Sequence, residues 1–241
     1  MSAARGETDR GVRVVQLTVF SVLMILIGAL LSVVYANPMV RLAPFDSPIV
    51  NQTLNYQLSA LPVAGLALLV TFVFARKIRL SYFTLKRTGP MKPLFGRSGS
   101  GRWETDAWII GLLMAATIGL TSFFQFLPTG FSFQWAYVAL VIPFAAMNAF
   151  TEEVIFRLSY VTMGANSTSS RAYGLAMGSI VFGVSHYWGV TPNGIVGALM
   201  SIFLGFVLAK SIQETKGFFW AFVIHFMLNI ATMAFVLNQV T

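Results

Sequence analysis

The feature that most constrains this chain is a series of apolar runs, each about as long as a helix that crosses a bilayer. Such a helix needs roughly 20 consecutive apolar residues. Hydrophobic residues make up 56% of the 241 residues and charged residues only 10%, which is outside the range of soluble domains. The sequence therefore predicts an all-α fold, a polytopic transmembrane helical bundle.

About seven spans are expected, within a range of six to eight. The apolar runs lie at 14–36, 54–75, 107–127, 133–163, 171–188, 195–209 and 217–237. The first run exceeds the 7 to 15 residues of a signal-peptide core, so we interpret it as an uncleaved anchor. We expect residues 1–13 to form a cytoplasmic N-terminal segment, 14–127 to hold three helices with a basic cytoplasmic loop at 76–106, and 133–237 to form a catalytic helical core.

The basic residues are distributed unevenly between the two sides of this bundle. Eight of them lie between Arg76 and Arg102, whereas the loops predicted on the opposite side hold only Arg41. Because cytoplasmic loops are enriched in Lys and Arg, the N-terminus is predicted inside and the C-terminus outside. The Gly- and Pro-containing basic loop is expected to be a solvated linker facing lipid headgroups.

Charge and cysteine content also exclude several functions. The net charge of +8 is explained by the membrane-flanking loops, so no nucleic-acid role is assigned. The chain has no cysteine, which excludes disulfides, thiol nucleophiles, iron–sulfur clusters and Cys-ligated zinc. Any metal would need histidine and carboxylate ligands.

One apolar segment, residues 148–157, carries Glu152, Glu153 and Arg157. An ionised side chain in the bilayer centre costs at least about 2.5 to 3.5 kcal/mol, so the cluster needs a reason. Either an ion pair joins two helices, or the segment holds an active site. Residues four apart share a helix face, so Glu153 and Arg157 are predicted to pair and to leave Glu152 pointing elsewhere.

Both histidines of the chain, His186 and His225, also fall within predicted spans. Asn229 lies one turn after His225, and Phe182 lies one turn before His186. Three helices can therefore direct Glu152, His186 and the His225–Asn229 pair into one cavity. Glu152 lies eleven residues before the expected helix end at Met163 and His186 fifteen after Arg171, an offset of roughly 6 Å. We expect tilt, a longer fourth helix or a descending loop to remove it.

This group of side chains has two chemical interpretations. A carboxylate beside an imidazole can take a proton from water and return it to a leaving amine, while a second imidazole and an amide stabilise an oxyanion. The alternative is a divalent metal, with zinc the candidate, held by Glu152, His186 and His225 as in hydrolytic zinc sites. The residues alone leave both open.

Three motifs resemble those of the CAAX protease and bacteriocin-processing family of intramembrane endopeptidases, which includes the type II CAAX prenyl endopeptidases and the bacterial Abi proteins. They are EExxxR at 152–157, FxxxH at 182–186 and HxxxN at 225–229, in that order on successive apolar segments. The resemblance covers about 144–231. Leu158 stands where members of the family commonly have glycine.

By this resemblance, Glu152 and His186 activate the water, and His225 and Asn229 form the oxyanion site. Glu153 and Arg157 support the first glutamate, and Phe182 belongs to the second motif. The mechanism implied here needs no metal, although the metal alternative stays open.

The resemblance implies a hydrolase in a bacterial or archaeal cell membrane. Its partners are membrane lipid and a peptide or protein substrate, either prenylated or a leader peptide. The rival interpretation is a non-proteolytic scaffold, immunity factor or transporter that uses the same polar cluster.

Overall fold

The structure is a computed structural model that describes residues 2–93, 101–128, 130, 132–166 and 171–239. Its elements follow one another along the chain in this order: α1 Ser2–Ala36, α2 Pro48–Phe74, β1 Pro90–Met91, β2 Gly101–Arg102, α3 Trp103–Phe126, α4 Trp135–Glu152, a π-helix Glu153–Leu158, α5 Ser159–Asn166, α6 Arg171–His186, α7 Gly194–Thr215 and α8 Phe219–Val236. The two short strands pair antiparallel.

The all-α prediction is confirmed. The segments α4, π-helix and α5 form one continuous stretch from Trp135 to Asn166, so the described residues contain seven helical rods. Six of the rods are long and apolar enough to cross a membrane. The shorter one is α6, with 16 residues, which ends at a site histidine.

Several helices extend beyond their predicted apolar runs, and for α2 and α7 the structure shows the local reason. Helix α2 begins at Pro48 because Ser47 caps it, with the Val50 amide donating to Ser47 Oγ at 3.5 Å. Helix α7 continues to Thr215, past the predicted end at 209. Lys210 is tolerated inside α7 because it forms an ion pair with Glu214 one turn later.

Glycines let α6 pack closely against its neighbours, as expected for small residues in membrane helices. A Cβ added at Gly178 would lie 2.6 Å from the Phe156 carbonyl oxygen in the π-helix. A Cβ at Gly205 of α7 would lie 2.9 Å from Ser179 Cα. Helix α6 is therefore held between the π-helix and α7, which fixes the position of His186 at its end.

Most residues in the described part of the basic loop are exposed, as expected for a solvated loop, but the loop is also anchored to α8. The Phe218 amide donates to Thr84 O at 2.8 Å, and Trp220 Nε1 donates to Arg87 O at 2.7 Å. The Phe83 ring packs 5.4 Å from the Phe218 ring. This loop therefore covers the start of α8. Most of the Gly- and Ser-rich part of the loop, residues 94–100, lies outside the described residues.

The bundle has two distinct ends. The first, which we call the basic end, consists of residues 75–93 and 101–102 and the connection from α7 to α8. The second, which we call the far end, consists of residues 37–47 and 187–193 and the last turn of α8. Lys77 N donates to Asn166 Oδ1 at 2.8 Å, which places the end of α5 at the basic end. Gln125 Nε2 donates to Val190 O at 2.6 Å, which places the end of α3 at the far end.

Candidate active site

A cavity of about 390 Å³ lies inside the bundle. It has walls from α1, α2, α4, α6 and α8, and Glu152, His186, His225 and Asn229 all line it. The helices therefore bring together the four residues that were predicted to be catalytic.

The two glutamates meet at one imidazole ring. His225 Nδ1 lies 2.6 Å from Glu153 Oε1, and His225 Nε2 lies 3.5 Å from Glu152 Oε2. Glu152 lines the cavity whereas Glu153 is completely buried, but both carboxylates approach the same imidazole, one at each ring nitrogen. The helix geometry also changes at this point, because Glu152 ends α4 and Glu153 begins the π-helix.

The π-helix from Glu153 to Leu158 was not predicted from the sequence. Its hydrogen bonds run five residues back along the chain, so the turn is wider than in an α-helix. The Ser159 amide accordingly donates to Val154 O. Short π-helical turns inside α-helices are frequently found at functional sites. No local pattern in residues 152–158 distinguishes this turn from regular helix.

The predicted pairing of Glu153 with Arg157 is present. Arg157 Nη1 lies 3.1 Å from Glu153 Oε1, and both side chains are completely buried. The Arg157 Cζ atom also lies 3.4 Å from the centre of the Phe182 ring, a cation–π contact. The same oxygen of Glu153 therefore faces a guanidinium on one side and the His225 ring on the other.

Phe182 packs between the charged groups and the two histidines. Its ring centre is 4.1 Å from that of His186 and 5.9 Å from that of His225. His186 Nδ1 lies 3.0 Å from the Phe182 carbonyl oxygen of the preceding turn. Because Phe182 is fully buried, these contacts fix the orientation of the His186 ring.

The depth offset between Glu152 and His186 is removed by a longer fourth helix. Helix α5 continues to Asn166, so Glu152 lies 14 residues from that end, whereas His186 lies 15 residues from Arg171 at the start of α6. At about 1.5 Å per residue, the remaining offset is one residue. The two side chains thus reach similar depths in the bundle and line one cavity.

Asn229 lies one turn beyond His225 on α8. Its Nδ2 atom donates to Ala145 O on α4 at 3.4 Å. The amide thereby connects the two helices that carry the first and third motifs, at the edge of the cavity.

The contribution of the first two helices to the cavity wall was not predicted from the sequence. Tyr56 and Gln57 of α2 line the cavity, and Tyr35 of α1 packs edge-on against Tyr56 with ring centres 5.4 Å apart. Within the described part of the chain, Gln57 Oε1 is buried and has no hydrogen-bond partner. A usable signal was the pair Thr53 and Gln57, two polar residues one turn apart in an apolar helix.

The three predicted metal ligands do not form a metal-binding group in this arrangement. Among the described residues there is no set of three or more His, Asp or Glu side chains placed to hold one ion. His225 Nε2 and Glu152 Oε2 lie 3.5 Å apart. No step of the chemistry below is therefore assigned to a metal.

These features define a class: an integral membrane helical bundle with a carboxylate–histidine site inside it. Comparison with protein families identifies the class more closely. Residues 133–231 match the model of the family described as type II CAAX prenyl endopeptidase Rce1-like, so this region of the chain is similar to that family. The matched region contains all three motifs and agrees with the resemblance read from them. No curated protein and no solved structure matched the chain.

Proposed function

We propose that the protein is an intramembrane endopeptidase that hydrolyses a peptide bond in a membrane-associated or lipidated peptide. The family match supports a CAAX-type intramembrane protease in general. The observation that carries the proposal is the arrangement of Glu152, His186 and His225 around one cavity, with the buried Glu153–Arg157 pair directly behind His225.

Glu152 is the proposed general base. Its side chain is 14% exposed and lines the cavity, whereas that of Glu153 is completely buried. Glu152 takes a proton from a water molecule, and the resulting hydroxide forms a bond to the carbonyl carbon of the peptide. When the tetrahedral intermediate breaks its C–N bond, the protonated Glu152 gives the same proton to the leaving amine. The products are a carboxylic acid and an amine.

His186 is proposed to act on the attacking water, and His225 is proposed to act on the oxyanion. His186 orients the water beside Glu152, and Phe182 holds its ring in place. His225 Nδ1 lies beside Glu153, and Nε2 faces Glu152 and the cavity. Nε2 can then donate to the oxyanion, and Asn229 Nδ2 supplies a second donor. Donors that are already oriented towards a developing charge usually contribute the largest share of catalysis.

Glu153 and Arg157 are positioning residues. Glu153 fixes the His225 ring through Nδ1, and Arg157 compensates the buried charge of Glu153 at 3.1 Å. A buried ion pair has this effect only when both partners are present.

We further propose that the enzyme lies in a bacterial or archaeal cell membrane with its N-terminus in the cytoplasm and its C-terminus outside. The support is the concentration of basic residues at one end of the bundle. The substrate class includes prenylated CAAX proteins, leader peptides and other membrane peptides.

The test is the substitution Glu152→Gln, with product peptides compared by mass spectrometry between cells that make the variant and the original protein. Removing a general base should reduce cleavage by roughly 10² to 10⁴-fold. Asp46→Asn is the matched control, because Asp46 is an exposed carboxylate at the far end and should be silent. Unchanged peptide products in the Glu152→Gln cells would refute the enzymatic role and favour a scaffold, immunity factor or transporter.

A further inference from the structure

We infer that the site takes its substrate from the external face of the membrane, so that its substrates are peptides presented at the outer surface rather than cytoplasmic C-termini. The inference rests on the proposed function and on the proposed orientation. The inference depends on which end of the bundle the cavity faces.

The cavity extends from the glutamates towards the far end. The wall residues furthest from Glu152 include Tyr35 at the end of α1, Ile49 at the start of α2, Trp188 in the loop after α6 and Val236 at the end of α8. All four elements reach the far end. None of the wall residues belongs to the described part of the basic loop, residues 75–93 and 101–102.

Exposure changes along the cavity in the same direction. At the far end, Trp188 is 77% exposed, Val190 47% and Tyr35 39%. Towards the basic end, Phe156 is 2% exposed and Phe182 is fully buried. Since all five residues line the cavity, it is open at the far end and closed below the glutamates.

The structure between the site and the basic end is tightly filled. The rings of Phe156 and Phe182 lie 5.4 Å apart between centres, and both side chains are buried. The Tyr160 ring meets the Phe20 ring edge-on at 5.9 Å, and both side chains are completely buried. A peptide has no path to Glu152 through this layer without displacing it.

The charge distribution then assigns a side of the membrane to the open end. The described residues of the basic end include seven basic residues between Arg76 and Arg102, and such loops remain in the cytoplasm. The far-end segments 37–47 and 187–193 contain only Arg41 and Asp46 as charged residues, so their net charge is zero. The cavity therefore opens to the outside.

The rim of the opening also indicates how the substrate approaches. Tyr35, Tyr187 and Trp188 are exposed aromatic residues beside it. Tyr and Trp concentrate at the level of lipid headgroups, where their rings meet apolar chains and their polar atoms meet water. The opening therefore lies at the outer membrane surface, and it fits an uncharged, extended peptide held at that surface, such as an exported precursor or a lipid-attached segment.

Cysteine accessibility tests this inference directly because the chain contains no cysteine. Single cysteines are introduced by Ser185→Cys in the cavity wall, Asn37→Cys at the far end and Ser81→Cys in the basic loop, all at exposed positions. A membrane-impermeant maleimide is applied to right-side-out spheroplasts and to inside-out vesicles. Ser32→Cys, at a second exposed position of the cavity wall, replaces Ser185→Cys if that variant does not accumulate.

The expected result is that Ser185→Cys and Asn37→Cys label in spheroplasts only, and Ser81→Cys in inside-out vesicles only. Labelling of Ser185→Cys from the same side as Ser81→Cys, or from neither side, overturns the inference. A reversal of both controls also overturns it, because the open end would then face the cytoplasm. Repeating the labelling with Glu152→Gln separates access from activity, since the pattern depends only on the opening.

Discussion

Arg157→Met is the substitution that most directly tests why this charged segment is stable in an apolar bundle. Methionine keeps much of the length and volume of the arginine stem but removes the guanidinium. Arg157 is completely buried, lies 3.1 Å from Glu153 and stacks on Phe182 at 3.4 Å. In the variant the buried carboxylate of Glu153 loses its contact with Arg157 and keeps the one with His225.

The magnitude follows from these contacts. Removing one partner of a buried ion pair destabilises a protein by about 3 to 5 kcal/mol, because the other charge is left uncompensated. A desolvated cation–π contact contributes up to about 2 kcal/mol of that loss. Because His225 still contacts Glu153 at 2.6 Å, we expect the lower value, a decrease of about 3 kcal/mol in the free energy of unfolding.

The assay is reversible unfolding in mixed micelles with increasing denaturing detergent. Lys210→Met is the matched control, since Lys210 is also buried and paired one turn away, but Glu214 keeps hydrogen bonds from Trp103 Nε1 and Lys92 N when the lysine is removed. We expect this control to lose less stability than Arg157→Met, because the remaining carboxylate is still hydrogen-bonded by two donors.

A double variant completes the test. Glu153→Gln combined with Arg157→Met should be more stable than the sum of the single losses predicts, by about 0.5 to 3 kcal/mol, because neither charge is then left alone. The reasoning is refuted if Arg157→Met costs no more than Lys210→Met, or if the two single losses simply add.

Three further predictions follow from the structure. Gly178→Ala should destabilise the protein by about 1 to 3 kcal/mol in the same unfolding assay, because its Cβ would overlap the Phe156 carbonyl, whereas Gly65→Ala, which meets open space, should not. His225→Ala should lower kcat more than it raises KM in a peptide cleavage assay, and a change in KM alone would contradict the oxyanion role. Activity should persist after exhaustive chelation, with elemental analysis showing no stoichiometric metal, and loss of activity that zinc restores would support the metal alternative instead.

The sequence was most informative where one helix and a simple period were involved. Apolar runs located the helical rods, and the spacing of four residues between Glu153 and Arg157 predicted their ion pair, which the structure shows at 3.1 Å. Both features depend on residues that are close together in the chain, so local geometry suffices to predict them.

The sequence was least informative where helix ends and loops depend on contacts with distant residues. Hydropathy alone ended the sixth run before Lys210, because it does not register a charge that is neutralised one turn later. It also gave no sign that the exposed basic loop is anchored to α8, where Trp220 and Phe218 donate to carbonyl oxygens of the loop. A polar or flexible composition does not show which distant backbone groups will satisfy a loop.

The sequence by itself determined that this chain is an all-α membrane bundle, and it supplied the candidate site residues and their order along the chain. Only the tertiary structure decided how they meet: both glutamates approach His225, and the cavity faces the far end. The physical reason is that a change from α- to π-helical geometry, and the depth at which one helix ends beside another, depend on packing between distant segments. Hydropathy and spacing along one chain contain no measure of either.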